Sequence, residues 1–266
     1  MPRRGKLQRI IQRVQRDGIW TTTKYCLGRG CNSILSIMTL FLSPEARRHR
    51  REEHRRNVEF QQLRRTVDAD FDTARGIDTG GKIELDCLSV VGDASNDGTH
   101  YQAVFPERFR EALESLTIEY GDYTFIDFGS GKGRAVLLAA QYPFQKVIGV
   151  EFAEELHRTA ELNWHSYVRQ PEVCCRVAEW HCMDAVAFPL PANPLVIYLY
   201  NPFGSTVMSK LIENVIRSCN SNPRSIYVLY LNPVIGHLWE AVPHVVTVWS
   251  GSFGKAYRLA TTSSDL

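Results

Sequence analysis

The sequence predicts an α/β protein, a mostly parallel sheet covered by helices on both faces and closed by an antiparallel C-terminal hairpin, with a basic helical extension in front. Three observations carry this. From Tyr123 onward, short runs of apolar and aromatic residues alternate with longer segments of helical periodicity. The short runs are nearly continuous in apolar residues, as in strands buried on both faces. The first of them passes through FIDFGSGKGR at 125–134 into a helix, making a glycine-rich strand-to-helix turn.

In chain order, YTFIDFG reads as a strand, GRAVLLAAQY as a helix, KVIGVEF as a strand and EELHRTAELNWHSYV as a helix. A weaker strand falls near 174–181. PLVIYLYNPF is the next strand, TVMSKLIENVIRSC a helix and SIYVLYLNP a strand, and HVVTVWS with AYRLATTS forms the hairpin through SGSFGK. Upstream, FPERFREALESL at 105–116 reads as a lead-in helix. DTGG at 78–81 and DASNDG at 93–98 mark turns in an irregular stretch from about 68 to 104. Residues 44–66 read as a solvated helix in which carboxylates are interleaved with RRHRREEHRR. Leu7, Ile10, Ile11 and Val14 recur at helical spacing among Arg and Gln, which predicts a short basic amphipathic helix. The expected divisions are 1–66, a basic helical extension; 67–122, a loop-rich connection with its lead-in helix; and 123–266, the sheet domain.

The chain has 266 residues, 44% of them hydrophobic, enough for one α/β domain and an extension and unlike a disordered protein. Its net charge of +2 conceals an asymmetry: residues 1–65 hold sixteen Lys/Arg against five Asp/Glu. A front of that kind can meet an anionic partner, nucleic acid or a membrane surface, or pack on its own domain with its charges in solvent. Within residues 44–66 no aromatic alternates with the charges before Phe60, which weakens the case for a single-strand stacking platform. Seven cysteines show no CxxC pair, so neither a zinc ribbon nor a disulfide framework is expected, and no metal. ILSIMTLFL at 34–42 is too short to cross a bilayer and too far from the start for a secretory signal, so a cytoplasmic protein is expected, with surface association open.

In an open α/β sheet the ligand binds where the strand order reverses, at the carboxyl ends of the strands. The turn DFGSGKG stands there. Gly129, Gly131 and Gly133 remove Cβ atoms where the backbone bends against a ligand. A Walker loop would need Gly at 126 and Ser or Thr at 133, where Ile126 and Gly133 stand; a GxGxxG dinucleotide turn would need a small residue at 134, where Arg134 stands. One helix later VIGVEF ends its strand on Glu151, a carboxylate placed to accept two ribose hydroxyls. Phe152 is placed to pack on a base or to serve as core. Asp184, in CMDA after the third strand, can accept a base amino group or cap a helix.

On these residues the run from 123 to about 261 resembles the class I, Rossmann-like, S-adenosylmethionine-dependent methyltransferases. FIDFGSGKGR…GVEF…YNPF is also similar to bacterial members of that superfamily, themselves distantly like the non-SET histone lysine methyltransferases. The resemblance implies a seven-stranded sheet in the order 3-2-1-4-5-7-6. It implies S-adenosylmethionine as cofactor, held by Asp127, Gly129, Gly131, Gly133, Glu151 and Asp184, with Asp127 at the ammonium group or orienting the loop. Tyr101, in HYQAVFP, resembles the aromatic that caps the methionine end. Asn201-Pro202-Phe203, ending the fourth strand, resembles the Asn-Pro-Pro-Tyr/Phe motif of amino-methyltransferases with one proline missing. There Asn201 would hold an amine and Phe203 stack on it, or the triplet serves only as a turn. Asn232-Pro233 closes the next strand and would bring His237 to the same rim as a base or as a structural residue. The expected function is methyl transfer to an unidentified acceptor, with nitrogen favoured. A non-catalytic cofactor-binding module, or a nucleic-acid methyltransferase that uses residues 1–65, are the alternatives.

Overall fold

The structure is a computed structural model that describes residues 44–84, 88 and 100–259. The helix expected at 7–14, the apolar stretch at 34–42 and the turn at 93–98 lie outside these residues. The chain divides between Gln62 and Leu63 into two units. In the first, helix α1 begins at Pro44, its residues 51–62 exposed to solvent and an Arg55–Glu59 pair one turn apart.

α1 runs to Thr73, seven residues past its expected end. The last turns acquire a buried face because Arg64, Asp68 and Phe71 recur at spacings of four and three and are nearly inaccessible. Their partners lie elsewhere in the second unit, so Arg64, which reads as part of a solvated helix, and Asp68, which reads as irregular chain, are interior. A two-residue ribbon, β1 (Lys82–Ile83) with β2 (Tyr101–Gln102), follows. Helix α2 (Pro106–Glu114) starts on a proline, whose missing N–H is no loss in a first turn, and buries Phe109, Ala112 and Leu113.

The main sheet is built from β3 (Thr124–Phe128), β4 (Lys146–Glu151), β5 (Ala178–Cys182), β6 (Leu195–Tyr200), β7 (Ile226–Leu231), β8 (Val245–Ser250) and β9 (Gly254–Leu259). Its order is β5-β4-β3-β6-β7-β9-β8. Five strands are parallel and β9 runs antiparallel between β7 and β8. Counted from β3, this is 3-2-1-4-5-7-6, the sheet of the Rossmann-like methyltransferase fold.

Side chains on a strand alternate between its faces, and the two cores follow that alternation. Along β6, Val196 and Tyr198 join the core under α2 and α3 (Arg134–Ala139), whereas Leu195, Ile197 and Leu199 join the core under α5 (Ser205–Ser221). Helix α4 (Glu154–Tyr167) lies between β4 and β5 in sequence and contributes Tyr167 to the first core. α6 (His237–Glu240) adds the fully buried Trp239 to the second. α3 is shorter than the helix expected from GRAVLLAAQY, since the chain turns at Gln141–Tyr142 to reach β4. Among the described residues no helix is long and apolar enough to cross a membrane.

Candidate functional site

The turn after β3 is held from two sides. Gly129 and Ser130 both donate their N–H groups to the Val150 carbonyl, at 2.9 and 3.1 Å. The Glu151 carboxylate accepts from Gly131 N–H at 2.7 Å and from Ala153 N–H at 2.9 Å. Glu151 therefore fastens the loop as well as facing the cleft, and each of its oxygens keeps a second lone pair for a ligand. Gly131 and Gly133 have φ of 54° and 88°, in the left-handed region. Gly131 lies directly beneath the Tyr101 ring, and Gly133 beneath the Trp180 indole.

A cleft opens over this turn, with about 630 Å³ of empty space that includes open solvent; its buried lining includes Asp127, Ser130, Arg134, Glu151, Tyr198 and Phe203, and its more exposed lining Gly129, Tyr101, His100, Gln102, Tyr200 and Pro202. A second space of about 270 Å³ is lined by Gly129, Val150, Phe152, Met183, Asp184, Ala185 and Phe203. The two share Gly129, Phe152 and Phe203. Of the cofactor residues expected from the sequence, Tyr101, Asp127, Gly129, Glu151, Phe152 and Asp184 line one or both of them, and Gly131 and Gly133 line neither. Asp184 also caps the short turn of helix that follows, its Oδ1 accepting from Val186 N–H at 2.9 Å.

The electrostatics are one-sided. Asp127 and Glu151 are 3% and 4% exposed, and among the described residues no cation pairs with either. The nearby cations are bonded to other groups, although Arg134 also lines the cleft. Lys132 reaches Asp78 at 2.7 Å and the Gly80 carbonyl at 3.1 Å. Arg134, 2% exposed, donates to Thr79 Oγ1 at 2.7 Å, to Asp72 at 3.3 Å, to Val104 O at 3.4 Å and to Asp68. Burial pushes the Asp127 carboxyl well above its ordinary value, and the neighbouring Glu151 charge pushes it the same way. Glu151 is raised by burial, against the lowering effect of the N–H groups it accepts from. A group bearing positive charge would relieve both carboxylates.

This has a measurable consequence. Below the ordinary value of 3.8 both the folded and the unfolded chain hold the Asp127 proton. Above it the unfolded chain releases the proton while the native chain keeps it, so the native state's advantage shrinks with rising pH until the raised native pKa is passed. Asp127→Asn, neutral throughout, is expected to match the parent at the acid end and to be the more stable at pH 7. The check is a difference in Tm that opens with pH; a constant or negative difference would contradict it.

Asn201 lines neither of these spaces, although its neighbours Tyr200 and Pro202 line the first. It leaves β6 with φ of 46°, and its Oδ1 accepts from the Tyr230 hydroxyl at 3.2 Å. Asn232 repeats the conformation at the end of β7, with φ of 50°. His237 is exposed at the start of α6 and likewise lines neither space. Phe203 is buried at the junction of the two spaces, beside Gly129.

The sequence reading missed Tyr198, Tyr200 and Ser130 as lining residues, and the support given by Thr79 and Arg134. DTGG carries only a turn signal, yet Thr79 is fully buried, donates through Oγ1 to Asp72 at 2.6 Å, and accepts from the Tyr101 hydroxyl through its carbonyl at 2.5 Å. The one available signal is Asp68 and Asp72 at helical spacing before an arginine in the glycine turn. A long-range ion pair cannot be read from spacing alone.

No family model matches the sequence, and no curated protein does. Solved structures do show likeness. An S-adenosylmethionine-dependent methyltransferase from Leishmania major aligns at 13% identity over 57% of this chain and 70% of its own, with a TM-score of 0.40. An RNA methyltransferase from Salinibacter ruber, in complex with S-adenosyl-L-homocysteine, aligns at 16% over 59% and 92%, with a TM-score of 0.37. A methylase described as putative from Haemophilus influenzae aligns at 19% over 58% and 98%, with a TM-score of 0.39. The assignment of the fold rests on the strand order.

Proposed function

We propose that the protein is a class I S-adenosylmethionine-dependent methyltransferase whose acceptor group enters from the rim formed by His100, Gln102, Tyr200 and Pro202. The observation that carries this is the pair of buried carboxylates, Asp127 and Glu151, that have no cation partner among the described residues and line a cleft at the switch point between β3 and β6. A dinucleotide would bring phosphates to those carboxylates, whereas S-adenosylmethionine brings an ammonium and a sulfonium, which suit them.

The residues present fit that group. Asp127 would receive the ammonium and Glu151 the ribose hydroxyls. Phe152, Asp184 and Phe203 would bound the base in the second space, and Tyr101 would close the amino-acid end. When bound, the cofactor supplies an electrophilic methyl group on sulfur. The protein's own part is then to align donor and acceptor and to exclude water, which a cleft walled by Tyr101, Tyr198 and Phe203 serves. A nitrogen acceptor, on a protein or a small molecule, is favoured: His100 and Tyr200 at the rim offer groups that can take or relay its proton.

Calorimetry with S-adenosylmethionine tests the reading. Glu151→Ala is expected to weaken binding by about 100-fold, because charge-assisted hydrogen bonds to the ligand and the grip on Gly131 are lost together. Unchanged affinity, or no binding by the parent, would overturn the proposal. Incubation with labelled cofactor in an extract lacking the endogenous enzyme identifies the acceptor fraction.

Two readings remain as outcomes of that experiment. Asn201 turned toward Tyr230 favours a binding module without catalysis, which predicts cofactor affinity and no labelled product. The basic front favours a nucleic-acid acceptor, which predicts steeply salt-dependent binding.

A further inference from the structure

We infer that the Tyr198 hydroxyl is a ligand contact that reads the amino-acid end of the bound adenosyl compound, beside Asp127, and so selects ligands that carry that end over ligands that lack it. The inference rests on the cofactor reading above and deepens it.

Tyr198 is 1% exposed, it lines the cleft, and its buried hydroxyl has no hydrogen-bond partner. A buried hydroxyl left unpaired is costly and rare, and in a cleft it points to a partner that arrives with the ligand. Its place identifies which part of the ligand that is. In the parallel pairing of β3 with β6, Tyr198 is the register partner of Asp127, so the two side chains stand on the same face of neighbouring strands. They also feel each other electrostatically, since burial and then the Asp127 charge push the phenol well above its usual range and keep it a donor. No hydrogen bond joins them, so the hydroxyl is not spent on the carboxylate.

The ring cannot swing to another partner. It packs on Phe109 at 5.3 Å and on Phe125 at 5.9 Å between centroids, within the core under α2. A rigid donor beside a carboxylate matches the α-amino-acid group, in which an ammonium and a carboxylate sit on one carbon. The ammonium goes to Asp127 and the carboxylate accepts from Tyr198.

The experiment is titration calorimetry of the full chain and of Tyr198→Phe with two probes, S-adenosylhomocysteine and 5′-methylthioadenosine, together with the Tm of each free protein. The second probe keeps the base and ribose and lacks the amino-acid end. Tyr198→Phe is expected to weaken S-adenosylhomocysteine roughly tenfold or more, to leave 5′-methylthioadenosine unchanged, and to leave the free protein's Tm equal or higher. Equal losses on both probes, no loss on the first, or a lowered Tm would each overturn the inference. If the parent binds neither probe, the cofactor reading fails first and the inference falls with it. If the parent binds both and only the selectivity is absent, the inference alone fails.

Discussion

Arg134→Met is expected to lower the free energy of unfolding by about 3–5 kcal/mol, the cost of leaving one side of a buried ion pair without its partner. Arg134 lies at the start of α3 with its side chain 2% exposed, and it bonds Asp68 and Asp72 on α1, Thr79 Oγ1 and the Val104 carbonyl. Its guanidinium also lies over the Phe71 ring, 4.9 Å from the centroid. Five donors in a planar fork serve four acceptors on three separate segments; a lysine ammonium, a point donor on a flexible stem, cannot span them, so Arg134→Lys is expected to recover only part of the loss. Urea denaturation followed by far-ultraviolet circular dichroism measures both variants. Adding Asp68→Asn and Asp72→Asn to Arg134→Met removes the stranded charges and is expected to restore part of the stability. A loss below about 1 kcal/mol for Arg134→Met would show that the network is not buried as described.

Gly131→Ala is expected to be the most damaging small substitution for ligand binding, lowering affinity for S-adenosylhomocysteine by about tenfold or more. Two effects combine. At φ of 54° an alanine costs about 1 kcal/mol relative to glycine. Its Cβ would also stand 2.1 Å from Tyr101 Cε2, a distance that forces the ring to move. That ring is tied through its hydroxyl to Thr79 O, so its displacement breaks a buried bond and opens the wall of the cleft. Gly81→Ala separates the effects: its φ is 90° with nothing within 4 Å of the added atom, so it carries the backbone cost without the collision. If the collision dominates, Gly131→Ala weakens binding and Gly81→Ala does not, and Tyr101→Ala added to Gly131→Ala recovers part of the lost stability. Equal behaviour of the two alanine variants would discard the steric account.

The alternation of strand and helix from Tyr123, the glycine turn and the strand ending on Glu151 are local periodicities and spacings, and each was legible before any contact was known. Strand order was not written in those periods. It entered through the resemblance, and the sheet follows it. The end of α1 shows why local reading stops where it does. Asp68 and Asp72 look like solvated residues leading into a loop, because the cation that makes them interior stands more than sixty residues later.

By itself, the sequence determined the class of fold and the place of the ligand turn, since glycine tolerance of positive φ and the facing of successive strand residues are properties of neighbouring residues. Tertiary structure alone decided what the charges do. It tied Lys132 and Arg134 to Asp78, Asp68 and Asp72 and, among the described residues, left Asp127 and Glu151 without a cation partner. It gave Glu151 the second task of holding Gly131, set Asn201 against Tyr230, and left the Tyr198 hydroxyl unpaired at the cleft. Burial and pairing depend on residues brought together from distant parts of the chain, and no spacing along the chain encodes them.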